Sequence, residues 1–126
     1  MTLKRKLGYW LPTIVWAGII FWFSSRSSIT TTQIYWQDFT VKKTAHVFVY
    51  AVLAVLVYRS LKHTTKLTRI YLLIVALLIT IGYALTDEFH QSFTPGREPH
   101  LRDIVIDGIG AAVALKLVDK SGIISR

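Results

Sequence analysis

The chain has 126 residues, 52% of them hydrophobic, no cysteine and a formal net charge of +8. That length suits one domain, and the lack of cysteine excludes disulfides and thiolate metal sites. The basic residues flank apolar blocks and form no basic helix or RNA-binding motif, so the charge points to anionic lipid heads and not to nucleic acid.

Lys4, Arg5 and Lys6 precede the first apolar block, residues 7–23. At about 17 residues it is at the short end of a membrane-spanning helix, and Pro12 near its start is expected to kink it. A basic start before an apolar run also fits a cleaved signal peptide. Trp22 and Phe23, however, occupy positions where cleavage needs small residues, so a retained helix is expected. Residues 24–42 are polar and carry Tyr35, Trp36 and Phe39, which suit an interfacial segment lying on the bilayer.

The second block covers about residues 43–61 and is followed by a basic loop over 59–69. The third runs over about 70–85, with a helix expected to continue as far as Gln91. Pro95, Gly96 and Pro99 then mark a turn. The fourth block, about 103–118, is short and contains Asp107 and Lys116. The expected fold is all-α: one domain over 1–126, an integral membrane bundle of four transmembrane helices at about 7–23, 43–61, 70–89 and 103–118.

Four spans divide the basic residues unequally. The side holding the N-terminus receives Lys4, Arg5, Lys6, Arg59, Lys62, Lys66, Arg69, Lys116, Lys120 and Arg126. The other receives Arg26, Lys42, Lys43, Arg97 and Arg102. The positive-inside rule then places both termini in the cytoplasm. Every acidic residue except Asp119 falls in the outer half, together with His46, His90 and His100. Topogenic charge accounts for the inner face, but the mixed charge of the outer face needs another explanation.

Helical spacing gathers those outer residues into three stripes. Lys43, His46 and Tyr50 lie at i, i+3 and i+7. Tyr83, Asp87, His90 and Gln91 lie at i, i+4, i+7 and i+8, with Glu88 beside them. Asp103 and Asp107 lie at i and i+4. In a compact bundle all three stripes reach one membrane depth, and a carboxylate such as Asp107 inside the membrane is costly and marks function by default. Structural readings compete. Lys43 snorkels to lipid heads, His46 or Tyr50 makes an interhelical hydrogen bond, and Asp87 and Glu88 pair with Arg97 and Arg102 to close the bundle. Gly108, Gly110, Ala111 and Ala112 read as a stripe that lets helices approach closely.

The string from Tyr83 through Asp87, Glu88, Phe89, His90, Gln91, Phe93, Pro95, Gly96 and Arg97, followed by Asp103 and Asp107-Gly108, resembles the signature of the VanZ-like membrane proteins. Phe23-Ser24-Ser25 and the Lys43, His46, Tyr50 spacing match the same pattern, and the resemblance extends over about residues 11–115. It implies the bare domain, without the further domains some relatives carry, in a bacterial plasma membrane. The founding member is associated with low-level teicoplanin resistance, so an envelope role is implied, but no reaction is.

Two functions remain open from the residues. In the first, an outer-face pocket binds an anionic lipid or cell-wall precursor headgroup. Lys43, Arg97 and Arg102 meet phosphate oxygens; Asp87, Glu88, Asp103 and Asp107 orient those cations or hold a divalent metal shared with the phosphate; Tyr50, Tyr83 and Gln91 complete the pocket. In the second, the site is an enzyme acting on a phosphorylated lipid carrier, with His46 or His90 as general acid or base poised by Asp87. A metal-assisted form would use His46, His90, Asp87 and Asp107, although their spacing matches no known zinc motif. Acyl transfer is less favoured, because no serine lies in a recognisable nucleophile motif and Ser24 and Ser25 are no more than candidates. A transporter is disfavoured by four short spans without an inverted repeat. Membrane lipids are the expected partners; the oligomeric state is not legible.

Overall fold

A computed structural model describes residues 2–24, 35–91 and 101–124, with side chains over 2–22, 44–90 and 104–124. These form four α-helices: α1 (Leu3–Ser24), α2 (Tyr35–Thr64), α3 (Arg69–Gln91) and α4 (Leu101–Ser121). No strand occurs among the described residues. Two helices, over Thr44–Thr64 and Arg69–His90, are long and apolar enough to cross a membrane.

The helix ends differ from the ends of the apolar blocks. α2 begins at Tyr35, so Tyr35, Trp36 and Phe39 belong to its first turns and not to a separate interfacial segment. Likewise α2 continues through Arg59 to Thr64, which shrinks the expected basic loop to residues 65–68. The reason is that α2 contains neither Gly nor Pro. Helix hydrogen bonds are local, and once the costly first turn has formed each added residue contributes another. Polarity therefore marks where a helix stops being apolar, not where it stops. α1 continues through Pro12 without a break, whereas α4 ends where Gly122 turns left-handed at a φ of 68°.

α2 is the central helix and packs most extensively on α4. Its buried residues Tyr50, Leu53, Ala54, Val57, Tyr58 and Leu61 recur at i, i+3, i+4 spacing, one continuous face. α3 answers with Leu72, Ala76, Thr80 and Ala84, one row at i+4 spacing. α1 is tied to α2 by hydroxyls: Thr13 Oγ1 and Ser60 Oγ lie 2.7 Å apart, and Trp10 Nε1 donates to Thr64 Oγ1 at 3.2 Å. The outside is apolar on every helix, with Leu11, Ile14, Phe48, Leu78, Val113 and Leu117 all exposed. Buried polar groups and exposed apolar ones invert the usual soluble pattern.

The small residues of α4 serve the α2–α4 contact. Ala111 is fully buried, whereas Ala112 faces outward. A Cβ on Gly110 would stand 2.7 Å from Val47 Cγ1, while one on Gly108 would meet Ile81 Cδ1 at an ordinary 3.5 Å. Gly110→Ala therefore forces α2 and α4 apart or Val47 out of its rotamer, and is expected to cost about 1–3 kcal/mol. Gly108→Ala is expected to be close to neutral. Thermal unfolding of both variants in detergent checks the contrast, and equal effects would contradict the close approach at Gly110.

Candidate functional site

The polar site stands where the N-terminal half of α2, the C-terminal end of α3 and the first half of α4 meet. The two stripes with described side chains on α2 and α3, and Asp107 of α4, turn inward because their outward neighbours are apolar: Phe48, Leu85, Phe89, Val105 and Ile109 are exposed. Tyr50 is fully buried, Asp87 is 4% exposed and Asp107 is 1% exposed. Two carboxylates at that depth require close partners.

His46 supplies one to each. Its Nδ1 lies 2.8 Å from Asp107 Oδ1, and its Nε2 lies 3.8 Å from Asp87 Oδ2. Tyr50 donates its hydroxyl to the same Asp87 oxygen at 2.7 Å. Three helices are thus joined by one imidazole, one phenol and two carboxylates. The rings of His46 and Tyr50 pack at 4.9 Å between centroids, and Tyr83 stands 6.3 Å from Tyr50. The Asp107 contact orients the ring, and with an ionised carboxylate, which only accepts, the shared proton is the one on His46 Nδ1. Nε2 is then the nitrogen that faces Asp87. Asp107 Oδ2 is buried and has no hydrogen-bond partner among the described residues.

The structure does not draw every candidate to this centre. His90 turns toward α1, where its ring packs on Phe21 at 4.5 Å. Its buried Nδ1 has no hydrogen-bond partner among the described residues. Tyr83 directs its hydroxyl to the backbone carbonyl of Ala17, also on α1. Glu88 is buried beside Asp87. The side chains of Lys43, Gln91, Arg102 and Asp103 lie outside the described ones, as does that of Ser24, and Ser25 and Arg97 lie outside the described residues altogether. Among the described residues no group of three or more His, Asp or Glu takes a metal-holding arrangement.

The contribution of α1 was not legible from the polar stripes. Trp16 donates its indole N–H to the Val49 carbonyl at 2.9 Å, one residue before Tyr50. With Ala17 and Phe21 it makes α1 the fourth wall of the site. The available signal was the aromatic content of the first apolar block, which is equally consistent with lipid contact.

The VanZ/LLP1 family profile matches residues 9–119, which include every residue of this cluster. No curated protein and no solved structure matches the chain.

The network makes a stability prediction. Tyr50→Phe strips Asp87 of a buried donor and Asp107→Asn weakens the hold on His46; each is expected to cost about 1–3 kcal/mol. His46→Gln and Asp107→Asn should be non-additive because the two side chains touch, while Tyr50→Phe and Ser60→Ala, three helical turns apart on α2, should add. Equilibrium unfolding of single and double variants in nanodiscs measures both. Additivity at the His46–Asp107 pair would show that the 2.8 Å contact carries no coupling.

Proposed function

The chain belongs to the VanZ-like family, and from that premise we propose that it is a four-span protein of the bacterial plasma membrane whose outer-face site binds the anionic headgroup of a lipid or a cell-wall precursor. The supporting observation is the His46–Asp107–Asp87–Tyr50 cluster, buried at one end of a bundle whose exterior is apolar. Desolvating two carboxylates and an imidazole for packing alone is costly when apolar residues of similar size would pack without penalty.

The anionic charge proposed for the ligand is supported by where the cations fall along the chain. Lys43 precedes His46 by one turn of α2, Arg97 lies in the sequence between α3 and α4, and Arg102 is the second residue of α4. By their places in the sequence these are the cations we assign to the phosphate oxygens. Asp107 Oδ2, an acceptor, would take a donor of the headgroup such as a hydroxyl or ammonium group and not a phosphate oxygen. Reduced susceptibility to teicoplanin, the phenotype linked to the family's founding member, would follow from occupying a precursor headgroup at the outer surface.

One observation favours a second reading, an enzyme acting on a phosphorylated lipid carrier. Asp107 holds His46 by Nδ1 and thereby aims Nε2, the arrangement by which a carboxylate orients an imidazole general base. Under this reading His46 is the acid–base residue and Asp107 its positioning residue. His90, packed on Phe21, is left as a wall of the site.

The topology is expected to place both termini in the cytoplasm, from the asymmetry of basic residues. A cysteine replacing Glu98 should react with an impermeant thiol reagent in intact cells, and one replacing Thr65 should not. Labelling at Thr65 would move the polar site to the cytoplasmic face. For function, nanodiscs holding the protein are incubated with labelled lipid phosphates and polyprenyl pyrophosphates, with and without magnesium. Binding is expected to fall at least about tenfold in Lys43→Gln and Arg97→Gln, the loss of one charge-assisted contact each. It should persist in His46→Gln without product formation. Product made by the wild type and abolished in His46→Gln would replace the binding protein with the enzyme.

A further inference from the structure

At the other end of the bundle a second polar site is present that the function above does not use. The end of α2, the start of α3 and the end of α4 border an open cavity of about 510 Å³, lined chiefly by Tyr58, Lys62, Thr68, Arg69, Asp119 and Lys120. It begins about 18 Å along α2 from His46, taking 1.5 Å per residue from 46 to Tyr58. Three of its side chains are cations and one is a carboxylate.

That carboxylate is already matched. Asp119 accepts the Tyr58 hydroxyl at 3.0 Å and the Arg69 Nε–H. Its side chain is 8% exposed whereas that of Arg69 is 74% exposed. A guanidinium has five donors in a fixed fork, so holding Nε on Asp119 leaves both terminal nitrogens to a ligand. Lys62 is also fixed: its Nζ donates to the Ile124 carbonyl at 2.6 Å and stands 5.5 Å above the Tyr58 ring. Lys120 is exposed at the rim. Thr68 and Arg69 open α3, whose first-turn amides lack intrahelical acceptors and add partial positive charge on the same side.

Topogenic lysines and arginines need no cavity and no fixed geometry. Lys66 in the same connection is of that kind, exposed and outside the cavity. Arg69 and Lys62, in contrast, are tied to partners around a concavity. Immobilising cations before a ligand arrives lowers the ordering cost of binding an anion.

We propose that this cavity is a second binding site, specific for a phosphate group carried by an anionic lipid headgroup or by a soluble phosphate. Oxygens of the phosphate meet the Arg69 terminal nitrogens, the Lys62 ammonium and Lys120, while Asp119 stays behind as the group that aims Arg69. The proposal is independent of the outer-face reading and of which membrane side the cavity faces.

The test uses the full chain carrying Lys43→Gln and Arg97→Gln, which weakens the proposed outer-face binding, and every further variant is compared within that background so that any residual binding is common to all. Protein in neutral detergent micelles is titrated with phosphatidylglycerol or phosphatidylcholine, and bound lipid is counted by native mass spectrometry. Phosphatidylglycerol is expected to bind and phosphatidylcholine not. Retention should fall roughly five-fold in Lys120→Gln and in Arg69→Gln, the effect of one cation at a headgroup, and stay unchanged in Lys66→Gln. If Arg69→Gln unsettles the fold by releasing Asp119, the rim residue Lys120 still decides. Millimolar inorganic phosphate that displaces the lipid would support the site and assign it to soluble phosphate; failure to displace it would assign the site to lipid. Equal retention of phosphatidylcholine, or an equal loss in Lys66→Gln, would reduce the cavity to general surface charge and overturn the proposal.

Discussion

Two carboxylates buried inside a bundle with an apolar exterior set the terms for the rest of this molecule. Asp87 and Asp107 cannot face outward, where their neighbours on α3 and α4 are exposed hydrophobics. Facing inward, they need donors at hydrogen-bond distance. His46 and Tyr50 answer from α2, one turn apart, so that one turn of a single helix serves both acids. The relative rotation of α2, α3 and α4 follows from this requirement. A bundle turned by one residue on any of the three would leave a charge unpartnered, which costs more than the pair contributes.

Close packing makes the arrangement geometrically available. Gly110 and Ala111 let α4 approach α2 near Val47, one residue after His46, and the approach brings Asp107 within 2.8 Å of the imidazole. α1 then closes the open side with Trp16, Ala17 and Phe21. At the site its bonds to α2 and α3 run between side chains and backbone carbonyls, so α1 supports the site without contributing charge to it.

The two ends of the bundle differ in how charge is used. Around His46 the described groups are mostly acidic and buried, with one imidazole between them. Around Arg69 they are mostly basic and exposed, with one carboxylate behind them. The first arrangement suits orienting a proton or a cationic side chain; the second suits receiving an anion from water or from a headgroup layer. At the His46 end the rule is that a buried charge is stable only where its complement is held in place beforehand.

Helical character, the number of helices and the residues of the acidic cluster were legible along the chain, because helix periodicity is local. Spacing of three, four and seven residues puts Lys43, His46 and Tyr50, or Tyr83, Asp87 and His90, on one face wherever the helix ends up. Helix limits were less legible. Hydropathy reports the solvent a segment prefers, and α2 continued into polar residues at both ends because nothing in its backbone stops it. What only the tertiary structure decided is pairing: which nitrogen of His46 meets which carboxylate, that His90 leaves its stripe for Phe21, and that Tyr83 reaches α1. The same holds for the basic residues at the other end of the bundle, which read as topogenic charge until Asp119, distant in sequence, was found gathering Tyr58 and Arg69 around a cavity. Periodicity assigns a residue to a face, but a contact depends on the distance and rotation between two helices, and those are set by the whole bundle's packing.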